Sequence, residues 1–194
     1  MSKIKKKFKT LSFSTPIPNL SPCSVLNIFL SNNLCSNIKN INNHSIEYDY
    51  QLDSNVIVHT QFSEAYTLNR KYDMSIYADS YIIIIDLESE VSYTNLDSII
   101  SYMKENCNIE KKIFFLGIYK NVDNINEDLK EENIKDFIDN KKLNYDYLEL
   151  NIEYKNDLIK IMEFITNQSI SNKDGKENSF DNNEGQSKSK CILY

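Results

Sequence analysis

One short run, Tyr81-Ile82-Ile83-Ile84-Ile85, dictates more about the fold than any other part of the chain. Its isoleucines occupy odd and even positions alike, so they favour extended backbone and present apolar surface on both sides of a strand. Such a strand is stable only where both faces are covered. That places Tyr81–Asp86 at the centre of a mostly parallel sheet with helices above and below. At five residues the run is far too short to span a bilayer.

The flanking segments supply the rest of an α/β fold. Phe8–Thr15 alternates well enough for a first strand, and Pro16, Pro18 and Pro22 then forbid regular structure. Ser24–Asn32 places Val25, Leu26, Phe29 and Leu30 on one helical face, and Asn32–Asn43 reads as a polar loop. Ser45–Leu52 and Asn55–Thr60 read as two strands joined by an Asp53-Ser54 turn. Beyond the central strand, Thr94–Glu105 has apolar residues at helical spacing and Lys112–Gly117 is a buried strand. Glu131–Asn140 supplies a helix, Tyr145–Leu150 a strand, and Asn156–Thr166 a closing helix. Strands alternating with helices imply a parallel-type sheet covered on both faces, with one antiparallel hairpin strand. Residues 1–7 are a basic lead-in, residues 8–167 one domain, and residues 168–194 a polar, disordered tail.

Charge and composition exclude several functions. The net charge is −6, yet five lysines lie within the first nine residues and 168–194 is neutral, so 10–167 carries −11. A body that acidic argues against nucleic-acid partners. The N-terminal lysines suit either a solvated lead-in or an anionic membrane surface. Cys23, Cys35, Cys107 and Cys191 lack C-x-x-C spacing, and with only His44 and His59 to join them no zinc framework exists. Free thiols in a reducing compartment, and hence a soluble intracellular domain, are the plain expectation. Of the three glycines, only Gly117 lies in the folding region, which excludes any phosphate loop needing several.

Local sequence points to a family. Ala78-Asp79-Ser80-Tyr81-Ile82-Ile83-Ile84-Ile85-Asp86-Leu87-Glu88-Ser89, followed by Ser92-Tyr93-Thr94-Asn95-Leu96, resembles the small GTPases of the Ras superfamily, the Rab branch especially. There a similar stretch forms the central strand and enters the next helix. Phe114-Phe115-Leu116-Gly117 and Tyr147-Leu148-Glu149 stand where the family runs into its two base-reading loops, and Thr60 and Glu64 keep two letters of its DTAGQE motif. The resemblance covers roughly residues 8–167. It implies a P-loop small-GTPase-like fold, with GTP and Mg²⁺ as the family's ligands.

The residues of the chemistry are missing. Against G-x-x-x-x-G-K-[ST], the chain reads Pro16-Ile17-Pro18-Asn19-Leu20-Ser21-Pro22-Cys23. Both glycines and the lysine are lost, three amide donors vanish into prolines, and a soft thiol replaces the hydroxyl that would meet a hard cation. DTAGQ reads His59-Thr60-Gln61-Phe62-Ser63, the guanine-reading N-K-x-D reads Ile118-Tyr119-Lys120-Asn121, and the S-A-K loop reads Asn151-Ile152-Glu153. Ser24 and Thr60 are what is left as candidate cofactor-binding residues. No catalytic residue, metal ligand or bound cofactor is expected.

The C-terminus ends Lys188-Ser189-Lys190-Cys191-Ile192-Leu193-Tyr194, a C-a-a-X-like arrangement with Cys191 as a prenylation candidate. The leading expectation is a Rab-like, nucleotide-binding-deficient module on the cytoplasmic face of a membrane, with a cytosolic pool. Its effector or regulator proteins would dock on the counterparts of the family's switches, Asn32–Tyr50 and Gln61–Met74. A GTP-binding enzyme with atypical phosphate contacts and an unlipidated cytosolic adaptor are the alternatives. His44 reads as a loop histidine and His59 as a strand-end histidine.

Overall fold

The computed structural model describes residues 4–15, 21–30, 35–42, 44–51, 56–65, 78–154 and 160. The elements are β1 (Ile4–Ser14), α1 (Pro22–Leu30), β2 (Cys35–Asn42), β3 (Ser45–Gln51), β4 (Val56–Glu64), β5 (Ser80–Asp86), α2 (Ser92–Asn106), β6 (Ile113–Tyr119), α3 (Glu131–Asn140) and β7 (Tyr145–Asn151). The strands form one seven-stranded sheet in the order β2-β3-β4-β1-β5-β6-β7. β3 pairs antiparallel with both β2 and β4, and every other pairing is parallel. The sheet is thus mostly parallel with one reversed strand, as the periodicity predicts.

Every residue of β5 is buried. Its two side-chain sets feed two separate cores. Ile82 and Ile84 join Phe114, Leu116, Tyr48 and Phe62 with Cys23, Val25 and Leu26 of α1. Tyr81, Ile83 and Ile85 join Phe115 with Leu96, Ile99, Ile100 and Met103 of α2 and Ile134 and Ile138 of α3. Helices therefore cover both faces, and the apolar spacing in α2 and α3 faces inward as their sequences require.

Parts of the chain depart from the sequence reading. Asn32–Asn43, expected as a loop, contains β2, whose residues are exposed on both faces apart from a partly buried Cys35. A strand that buries neither face carries no alternation, and its backbone pairing with β3 is invisible in its side chains. Asn37 takes the left-handed conformation (φ 53°) beside one of two register shifts, and its Nδ2 donates to Asp49 Oδ2 at 2.8 Å. The lysine-rich lead-in is strand from Ile4, in parallel register with β4 from Ile4↔Val56 onward, with Lys7 and Lys9 exposed and Phe8 buried between them. Pro22, expected outside regular structure, is the first residue of α1, where a missing N–H costs nothing. The closing helix Asn156–Thr166, apart from residue 160, and the tail 168–194 lie outside the described residues.

Gly117 shows why one glycine survives in a buried strand. A Cβ there would lie 2.9 Å from Leu87 Cδ1 and 2.9 Å from Tyr147 Oη. Leu87 is fully buried, and the Tyr147 hydroxyl donates to Glu149 Oε1 at 2.6 Å, so neither group yields freely. Gly117→Ala is expected to cost about 1–3 kcal/mol by overpacking, partly offset by a stiffer unfolded chain. A lower urea midpoint with unchanged slope checks this; a midpoint equal to or above the parent's refutes it.

Candidate functional site at the carboxyl edge of the sheet

In open parallel sheets, ligands bind beyond the carboxyl ends of the strands. Here that edge gathers Thr15 after β1, Ser21 and the first turn of α1, Glu64 ending β4, Asp86 ending β5, and the loops after β6 and β7. Thr15 joins two of them: its Oγ1 accepts the Asp86 N–H at 3.0 Å and the Ser92 hydroxyl at 3.0 Å.

The first turn of α1 is closed from within. Pro22 has no N–H to offer. The Cys23 N–H donates to Glu64 Oε1 at 2.7 Å, the Ser24 N–H to Ser21 Oγ at 3.2 Å, and the Val25 N–H to Ser21 O at 2.9 Å. Each amide that a helix start could turn toward an anion already has an acceptor inside the protein. Glu64 Oε2 receives the His44 Nδ1–H at 2.8 Å, an arrangement that requires the hydrogen on Nδ1 because a carboxylate can only accept. Burial raises the Glu64 pKa, but hydrogen bonds from the Cys23 amide, His44, Ser21 and Cys23 outweigh it and hold the carboxyl below its ordinary range. Burial, reinforced by the neighbouring Glu64 charge, pushes the Cys23 thiol far up, so it is no thiolate ligand.

The second half of the edge is also self-satisfied. Glu88 accepts the Lys120 N–H at 3.3 Å and the Asn121 N–H at 3.1 Å. Asn121 spends its side-chain oxygen on the Asp123 N–H at 3.1 Å, capping a short 3-10 turn, and Ile118 is buried in the core. Asn151 ties the two loops together, donating to Lys120 O at 2.7 Å and accepting the Glu153 N–H at 2.9 Å. Asp86 is raised by burial, only partly relieved by the Glu88 N–H.

The candidate residues fare differently. Ser24 does lie at this edge, with its Oγ 3.1 Å from Ser21 Oγ. Thr60 does not: it sits mid-strand across from Tyr48 and is buried. His59 is likewise mid-strand rather than at a strand end, donating from Nδ1 to Asp49 Oδ1 at 2.6 Å. β4 runs on to Glu64, so the carboxylate at its carboxyl end is Glu64 and not the residue at 59. An ungapped motif match cannot sense such a shift, because strand length is set by pairing with β1 and β3. Among the described residues, no group of three or more His, Cys, Asp or Glu side chains could hold a metal ion. Cys191 lies outside the described residues.

Compared with known proteins, the chain matches no family model and no curated sequence.

The Glu64 geometry has a pH signature. Its folded pKa is lowered, so the charged form stabilises the fold above the ordinary carboxylate value of 4.5 and that contribution is lost as pH falls through the folded value. Asp86 and Glu149, both raised by burial, act in the opposite sense. Glu64→Gln should therefore lower stability by about 1–2 kcal/mol near neutrality and by less near pH ~3. Urea unfolding of both proteins at the two pH values measures this, and a difference that grows in acid refutes it.

Proposed function

We propose that the chain is a small-GTPase-like binding module of the Rab type that works without nucleotide, anchored to the cytoplasmic face of a membrane through a prenyl group on Cys191. The observation that carries this reading is the closed start of α1, where Glu64 and Ser21 take the amides that a phosphate would need. A mostly parallel sheet with one reversed strand and helices on both faces is the sheet that the resemblance implies. Partner proteins, effectors or regulators in vesicle traffic or signalling, would meet the β2–β3 side. There Ile38 and Ile41 are 42% and 49% exposed, more apolar surface than a polar edge strand needs for itself.

The anchor supplies what a nucleotide cycle would otherwise control. Without ligand states that differ in affinity, membrane residence depends on lipid and charge alone. One prenyl chain binds marginally, so Lys188 and Lys190 would add salt-sensitive affinity of about 1 kcal/mol each near an anionic surface. Among the described residues no helix is long and apolar enough to cross a membrane. The test is cell fractionation of the parent and Cys191→Ser, with intact mass of the parent. The expected result is a prenyl mass increment and a shift of the serine variant to the soluble fraction. An unmodified mass, or a serine variant that stays on membranes, would favour the cytosolic adaptor.

A GTPase with atypical phosphate contacts is the second reading. Glu64 favours it in one respect, since a carboxylate does stand at the end of β4 beside the start of α1. Its two oxygens already accept from the Cys23 amide and from His44, so a hydrated cation would compete with these donors for the carboxylate.

A further inference from the structure

Three elements meet at one carboxylate. Glu64 ends β4, His44 occupies the turn between β2 and β3, and Cys23 is the second residue of α1. The Glu64 backbone N–H donates to the His44 carbonyl at 2.9 Å. Its side chain reaches the His44 ring through Oε2 at 2.8 Å and the Cys23 N–H through Oε1 at 2.7 Å. The turn is itself braced, because the His44 N–H donates to Asn42 Oδ1 at 2.8 Å. Among the described residues of the neighbouring strands, the Ser45 and Ser63 hydroxyls lie 3.0 Å apart, and the Ser12 hydroxyl donates to Ser63 O at 3.1 Å.

Exposure differs sharply along this chain of contacts. The Glu64 side chain is 8% exposed, whereas the His44 side chain is 42% exposed. A buried carboxylate makes charge-assisted hydrogen bonds that are roughly twice as strong as neutral ones, and the helix start adds favourable dipole potential. A long neutral side chain of the same shape would have neither advantage.

We propose that Glu64 is an internal anion strap whose charge fastens the β2–β3 turn and the end of β4 to the start of α1. His44 is the solvent-facing end of the strap, so the turn is tied to the first turn of α1 through the Glu64 side chain. While the carboxylate is seated, the turn and the helix start behave as one unit. The strap rests on the reading of this edge as closed to nucleotide and gives that closure a mechanical role: it couples the partner-facing hairpin to the helix behind it.

Amide hydrogen exchange of the full chain tests it, with Glu64→Ala and Glu64→Gln beside the parent. Exchange at the Cys23 and Glu64 amides should rise about tenfold or more in the alanine variant. It should rise less in the glutamine variant, whose amide oxygen still accepts. Sodium formate, which returns a carboxylate to the vacated space, should restore protection in the alanine variant, and sodium chloride of equal ionic strength should not. Unchanged exchange in the alanine variant would overturn the proposal. Equal effects of formate and chloride would do so too, by showing that bulk and not the seated charge had been lost. If the alanine variant fails to fold, the glutamine variant decides: parental exchange rates refute the strap and faster ones uphold it. Nucleotide binding by the parent would defeat the closed-edge reading while leaving these exchange rates as they are, so the two ideas fail separately.

Discussion

Titrated with a fluorescent guanine nucleotide in Mg²⁺, the chain should show no saturable binding up to about 0.1 mM, which corresponds to less than about 5–6 kcal/mol of binding free energy. The expectation follows from charge and from donors. A triphosphate brings several negative charges, which a working site offsets with oriented amides, a lysine and a divalent cation. Here the Cys23, Ser24 and Val25 amides have acceptors within the protein, and Pro22 stands where the resemblance calls for the lysine. Glu64, Asp86, Glu88 and Glu153 line or flank the same edge. At ~5 Å and an effective dielectric of ~20, each carboxylate–phosphate charge pair repels by about 3 kcal/mol. Two or three such pairs are enough to erase micromolar affinity. Sub-micromolar binding would mean that the edge rearranges to release its amides, and the GTPase reading would then lead.

The second large effect is on stability. Phe115 in β6 is fully buried, pairs in register with Ile83 on one side and Tyr147 on the other, and meets the Tyr145 ring edge-on at 5.8 Å between centroids. It belongs to the core under α2 and α3. Phe115→Ala removes a ring that its backbone-fixed neighbours cannot replace, so it should cost about 3–5 kcal/mol. Against a total of about 5–15 kcal/mol for a domain, that is a large share. The expected readout is a melting temperature lower by roughly 8–15 °C. A shift under about 3 °C would show that the core collapses around the vacancy, or that the β6 register differs.

Much of the fold was legible in the chain because its signals are local. Four isoleucines with no polar residue between them require burial on both faces, and β5 sits mid-sheet with both sets buried. Leu96, Ile99, Ile100 and Met103 repeat with helical period, and α2 buries those four along with Ser92. Glu131–Asn140 is helical at the same two bounds in sequence and structure. The candidate site was less legible. Ser24 lies at the carboxyl edge, but Thr60 and His59 do not, because β4 continues four residues past the Thr60 end that its sequence suggests.

What the sequence determines by itself is therefore what one segment can express: the apolar period, the turn and proline positions, and the loss of phosphate-loop glycines. Tertiary structure alone decides the rest, because it depends on partners distant in the chain. β2 exists through backbone hydrogen bonds to β3, which its exposed, Asn-rich side chains do not announce. β4 extends to Glu64 because β1 continues beside it through Ser12↔Glu64. That extension sets the Glu64 carboxylate 2.7 Å from an amide 41 residues earlier in the chain. No periodicity encodes such a distance; it follows from the packing of α1 onto the sheet. The same carboxylate in a shorter strand would be one more solvated acid, and the start of α1 would lie open.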